Sequence, residues 1–464
     1  MRNYRLIEID WPEFGGVDVP PRIEAAEYRG RLAAARKGMD ARGLTHLVVY
    51  GDREHFANIQ YLTGFDPRFE EALLIVRAEG APLLVVGNEC EGYLPVSPLY
   101  ATGELRSERY PTFSLLDQPR GGARPLRDIL AGEGIGAGSR VGCAGWKYYT
   151  EAEVPDPAHA LELPAFIVDL LRSLVGHDAV VNATDLFMHA DYGLRAKCSV
   201  AEIAFLEYAG VRASEAMKRM LLGMREGMRD FELVAQIGYT GEPLNCHMTC
   251  TTAANEDKSL SGPVGAILRK GSPFSSNVGY FGSNVCRAGW IAESENDLDT
   301  EARDYVEAFA GPYFAVMGEW FRLLKIGTPG DALYRMIVDN LPGFGITLNP
   351  GHLIHLDEWL SSPVFPGSTI PIQSGMAMQV DVIPVSPVYF STRMEDGMAI
   401  ADAGLCAELQ AKYPDVYARC QARRQFMIDT LGFELAEEVL PLSNIPAIVP
   451  PFFLKPRQIF ALGK

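Results

Sequence analysis

The sequence predicts an α/β protein of two domains, and three observations carry that prediction. Short apolar strand-type runs alternate with helical segments up to about residue 185. A long, capped, amphipathic segment then opens a second region near residue 190. That region mixes short Ser-, Asn- and Gly-rich strands with helices. The chain has 464 residues, with 48% hydrophobic and 22% charged. This composition is that of a globular protein long enough to bury ordinary cores. The net charge of -17 excludes a nucleic-acid groove, which needs a clustered basic surface.

Along the chain, residues 1–20 read as an irregular arm broken by Pro12, Gly15, Gly16 and Pro20. The arm has no apolar core of a signal peptide, and no run of about 18 apolar residues follows, so no membrane partner is expected. Residues 24–42 are helical and end at Gly43. Residues 45–50, 72–76 and 82–86 read as buried strands, the last two separated by Ala78-Glu79-Gly80. Ser199, with Glu202 three residues on, is a capping box for a helix over 201–222. Further helices are expected near 229–238, 298–325 and 403–431, with strands and turns over 245–300 and 345–400. The resulting division is an arm over 1–20, a first domain over 21–190, a second over 191–435, and an extended, surface-packed tail over 436–464. Eight scattered cysteines, with only Cys246 and Cys250 close together, suit reduced thiols in a cytoplasmic protein rather than a zinc motif.

The chemistry concentrates in the last third. Asp381 falls at an inward position of a strand-type run, and a second such run carries Arg393, Glu395 and Asp396. Inward carboxylates are costly unless paired or used. Gly351-His352-Leu353-Ile354-His355-Leu356-Asp357-Glu358 supplies two histidines nearby. Histidine and carboxylate together suit metal binding or proton transfer. An Arg393–carboxylate ion pair at a turn accounts for part of the same pattern.

Gly271, Asn277, Gly279, Asn284, Arg287, His352, Gly375-Met376, Asp381 and Glu395 fall at the spacing of the creatinase/aminopeptidase P/prolidase family, which this chain resembles. Leu194-Arg195-Ala196-Lys197 with Glu202 fits too, as does Asn58-Ile59-Gln60-Tyr61-Leu62-Thr63-Gly64-Phe65 in the first domain. The likeness spans roughly residues 25 to 425. It implies a creatinase-type N-terminal α/β domain, then a pita-bread domain with a curved antiparallel sheet around the site. It also implies a homodimer.

Family peptidases hold their metals with two Asp, one His and two Glu. The matching positions here are Asn277, Asn284, His352, Asp381 and Glu395. Two asparagines cannot balance the charge of a dinuclear centre. The expectation is therefore no metal and no cofactor, a single weak ion at His352, Asp381 and Glu395 being the residual case. The peptidases' second histidine matches Trp359, and the creatinase catalytic histidine matches Leu260, flanked by Ser259 and Ser261. His247 is a candidate substitute. The resemblance thus implies a metal-independent hydrolase of a non-peptide C–N bond in a small guanidino, ureido, lactam or cyclic amidine compound. His352, His355, Asp381 and Glu395 are the expected catalytic groups. Asn277, Asn284, Arg287, Glu358, Arg393 and His247 are the expected substrate-binding groups, Arg287 and Arg393 serving either as carboxylate clamps or as structural partners. A Xaa-Pro dipeptidase or aminopeptidase P with a reduced metal site is the alternative, and a non-catalytic binding module on the same fold is another.

Overall fold

The computed structural model describes residues 3–252 and 260–463. The chain divides into two compact units, Ile23–Arg195 and a second made of Met1–Arg22 with Ala196–Lys464. The boundary lies close to the expected residue 190, and the N-terminal arm belongs to the second unit.

The first unit is built on a six-stranded mixed sheet. Its strand order is Arg106–Arg109, Leu83–Val86, Ala72–Arg77, His46–Gly51, Val141–Ala144 and Val180–Asn182. The middle strands carry continuous Val, Leu and Ile runs, buried as strands covered on both faces require. Val48, Leu73, Ile75, Val85 and Val141 pack with Ile129 and Leu130 of the Leu126–Gly132 helix and Ile167 and Leu171 of the Ala165–Val175 helix.

The second unit has two four-stranded antiparallel sheets. One runs Arg393–Glu395, Ser283–Ile291, Ser272–Tyr280, Thr249–Thr252; the other runs His352–Leu353, Ala377–Gln379, Gly397–Ile400, Val439–Pro441. One stretch of chain, residues 393–400, therefore serves both sheets, and Asp396 is where it passes from one to the other. The Val200–Gly223 helix packs against Ser272–Tyr280 and Ser283–Ile291. Its expected capping box is formed by Ser199 and Glu202. Gly210 lets this helix approach the 442 backbone, since a Cβ there would lie 2.6 Å from Leu442 O.

Two expectations are corrected. The N-terminal arm is not irregular throughout: Tyr4–Glu8 is a strand paired with Gln458–Leu462 over five residues. The C-terminal tail is not a surface strap. Val439–Pro441 joins a sheet, and residues 439–453 are buried. Helix Gly330–Asn340 is an element that the sequence reading passes over.

Candidate active site

Strand register assembles the site. Cys286 stands opposite both Asn277 and Glu395, and directly opposite residues of an antiparallel pair share a face. Asn284, two residues before Cys286, falls on that face as well. On the other sheet His352 is opposite Gln379. Gly351, at φ 115°, takes a backbone conformation that favours glycine as the chain turns into His352.

The two asparagines form a directed chain of hydrogen bonds. Asn277 Oδ1 accepts from the Thr249 backbone N–H at 2.8 Å, and from the Thr249 hydroxyl. A backbone N–H can only donate, so this contact fixes which end of the Asn277 amide is oxygen. Asn277 Nδ2 then donates to Asn284 Oδ1 at 3.1 Å, and Asn284 Nδ2 donates to Glu395 Oε1 at 2.7 Å. Gln379 Nε2 adds a 3.3 Å bond to the same Glu395 oxygen. Cys246 Sγ accepts from Asn277 Nδ2 at 3.3 Å. Burial pushes this thiol up to about 12, with Glu358 and Glu395 adding to the effect.

The other half of the site is charged. His352 is fully buried and stacks on Trp359, with ring centroids 4.1 Å apart and planes 17° from parallel. Its Nδ1 is 3.1 Å from Leu353 O, and its Nε2 is 3.2 Å from Glu358 Oε1 and 4.0 Å from Asp381 Oδ2. Every one of these neighbours is an acceptor, which suits a doubly protonated ring. Burial pulls its pKa down, but Glu358 and Asp381 outweigh that and push it up to about 9. Burial raises Asp381, with His352 opposing and Glu358 adding to it. Glu395 is pushed up to about 8 by burial and by the charges of Asp381 and Glu358. Arg393 donates to Ser391 Oγ at 3.2 Å and to Cys286 Sγ at 3.7 Å, and its charge acts on Asp381. Asp381 Oδ1 and Arg393 Nε are buried and have no hydrogen-bond partner among the described residues.

The structure therefore brings together Asn277, Asn284, His352, Glu358, Asp381, Arg393 and Glu395. It does not place the other three expected residues in this group. Of the two roles expected for Arg287, the structural one holds, and its place among the substrate-binding groups is corrected. It is 0% exposed and donates to Ile448 O, Ile445 O, Glu395 O and Asp396 Oδ2, which leaves no free fork for a ligand. His355 turns to Glu202, with Nε2 2.9 Å from Oε1. His247 is exposed, and its Nε2 lies 2.7 Å from Leu260 O. Ser259 lies outside the described residues. Sequence reasoning missed Gln379, Thr249, Cys246 and the stacking role of Trp359. The strand alternation Gln379, Asp381 carried a signal for the first.

These residues do not fit a pair of divalent ions. Asn277 Oδ1 is committed to Thr249, and Asn284 turns an N–H, not an oxygen, toward Glu395. Hard cations need oxygen ligands with charge to match. Two groups of three ligand-type side chains bring their atoms within 4.8 Å among the described residues, and His352 with Asp381 and Glu395 is not one of them.

Residues 31–145 match the model of the creatinase/prolidase N-terminal domain. No curated protein matches the chain by sequence. Dipeptidase PepE from Mycobacterium ulcerans is similar in structure, with a TM-score of 0.61, 19% identity, and coverage of 82% of this chain and 95% of that one. The prolidase from Pyrococcus horikoshii OT3 has a TM-score of 0.60 at 13% identity, covering 80% and 95%. A variant of Escherichia coli aminopeptidase P has a TM-score of 0.53 at 16% identity, covering 87% and 100%. The chain thus carries the creatinase/prolidase N-terminal domain and the pita-bread fold of the prolidase and aminopeptidase P family.

Proposed function

We propose that this chain is a hydrolase of a C–N bond in a small polar compound, working through its own histidine and carboxylates without a metal pair. The observation that carries this reading is the hydrogen-bond chain from Thr249 N–H through Asn277 and Asn284 to Glu395. It occupies the positions where family peptidases hold metal, and it ends as a donor on a carboxylate. Glu395 is thereby a hydrogen-bonded acid–base group. The His352 imidazolium, held against Glu358, is placed to give a proton to a leaving nitrogen. Asp381 is the carboxylate available to accept from substrate N–H groups or from the attacking water, and Asp381 Oδ1 with Arg393 Nε are the buried atoms a bound polar compound would satisfy. The substrate class remains the guanidino, ureido, lactam and cyclic amidine set. A homodimer in the cytoplasm belongs to the same proposal.

One observation favours a second reading. The similar structures include dipeptidases, prolidases and an aminopeptidase P, so Xaa-Pro dipeptides are the competing substrates. The test is a panel of both compound classes assayed with and without added manganese. The proposal expects turnover of a non-peptide compound that manganese does not raise. Xaa-Pro cleavage that rises with manganese would replace it with the peptidase reading. Binding without turnover of any compound would replace it with a non-catalytic module.

A further inference from the structure

Away from the group around Glu395, Cys198, Glu202 and His355 form a second cluster of ligand-type side chains. Cys198 Sγ, a Glu202 carboxylate oxygen and a His355 ring nitrogen all lie within 4.8 Å of one another, and all three residues are buried. We propose that this cluster is a zinc site, distinct from the catalytic group. Three features support it.

The first is donor type. Thiolate, imidazole and carboxylate are the ligands zinc takes, at bond lengths of about 2.0–2.3 Å. Three such ligands in a tetrahedron stand about 3.3–3.8 Å apart by those lengths, so a small inward movement closes the cluster on an ion. The second is charge. A thiolate, a carboxylate and a neutral imidazole balance a dication to zero, which is the arrangement a buried site requires. Binding replaces the Glu202–His355 contact and releases the Cys198 thiol proton to solvent.

The third is support from outside the ligand set. The second Glu202 oxygen accepts from Ser199 N–H at 2.8 Å in the capping box, which orients the carboxylate. Cys198 N–H donates to Gly375 O at 2.7 Å, and His355 N–H to Asp357 O at 3.3 Å, which fixes the backbone on both sides. The ligands come from two segments far apart in sequence, the helix start at 198–202 and the turn at 352–358. That turn also carries His352 and Glu358. An ion here would pin the turn to the helix and hold His352 in register.

The experiment is titration of the purified full chain with zinc and with cobalt. The expected result is one ion per chain and a near-ultraviolet thiolate-to-cobalt band. Cys198→Ser removes that band and weakens zinc binding by more than about tenfold, the lower end of what even an outer-sphere change costs. Glu202→Gln keeps an acceptor for the Ser199 N–H, so it removes charge while sparing the cap. It weakens zinc with the fold intact by circular dichroism, and serves if Cys198→Ser does not fold. No thiolate band in the wild-type chain, or a band that survives Cys198→Ser, overturns the proposal. An ion bound at the asparagine positions would survive Cys198→Ser, so the zinc site and the metal-free catalytic reading can fail separately.

Discussion

Glu395 and Asp396 are neighbours in sequence, yet they belong to opposite kinds of environment. Asp396 faces Arg287, whose guanidinium lies 2.8 Å from it, and it also accepts from Ala447 N–H at 3.0 Å. Arg287 in turn reaches three backbone carbonyls of other segments. Asp396 thus forms a buried ion pair that ties the C-terminal segment to the sheet. Glu395 has no cation at ion-pair distance among the described residues. It has amide donors from Asn284 and Gln379, and burial, with the charges of Asp381 and Glu358 adding to it, raises it to about 8. A buried carboxylate held by a guanidinium builds structure, whereas one with no cation beside it is poised for chemistry.

Breaking the closed side should have the largest effect on stability. Arg287→Met leaves Asp396 buried without its cation, and urea unfolding should show a loss of about 3–5 kcal/mol. An effect near zero would mean that the pair is not the tie described. Breaking the open side should instead cost function more than it costs the fold. His352→Ala should lower turnover of the hydrolysed compound by roughly 10²–10⁴-fold, the usual worth of an acid–base group, with circular dichroism unchanged.

The pH dependence of stability separates the two sides next. The Glu395 carboxyl holds its proton to about 8 in the folded chain, against an ordinary 4.5. Its cost to folding therefore appears as pH rises above 4.5 and is complete above about 8. His352 is raised to about 9 from 6.5, so its stabilisation is full below 6.5 and is lost as pH rises through about 9. Both act in one direction, and Tm should fall between about pH 5 and pH 9. Glu395→Gln should flatten the lower part of that fall, because the amide does not ionise. A variant with an unchanged Tm profile would count against a strained Glu395. The smallest expected effect is at the helix that backs the sheet. Ser199→Ala removes the N-cap oxygen and should cost about 1 kcal/mol in the same urea experiment.

What the sequence made legible was local. The Ser199–Glu202 box, the strands of the first unit and the Gly43 stop follow from short-range patterns, and the structure forms them. The site residues at Asn277, Asn284, His352, Asp381 and Glu395 were legible through their family spacing, and they do converge. What escaped was long-range. The strand pair Tyr4–Glu8 with Gln458–Leu462 joins the two ends of the chain, and no local period announces it. Arg287 was open between a structural partner of a carboxylate and a substrate clamp, and its place on the strand face opposite Cys286, against Asp396, decides for the partner. Thr249 sets the orientation of Asn277 from a different strand, which only the register reveals. His355 and Glu202 were both singled out, yet their contact spans 153 positions.

The central claim is that the asparagine chain closes the former metal positions. Calorimetric titration with manganese of the wild-type chain and of the Asn277→Asp/Asn284→Asp variant tests it most directly. The wild-type chain should bind no manganese at these positions, and the variant should take up two ions per chain. Two ions bound by the wild-type chain as tightly as by the variant would contradict it.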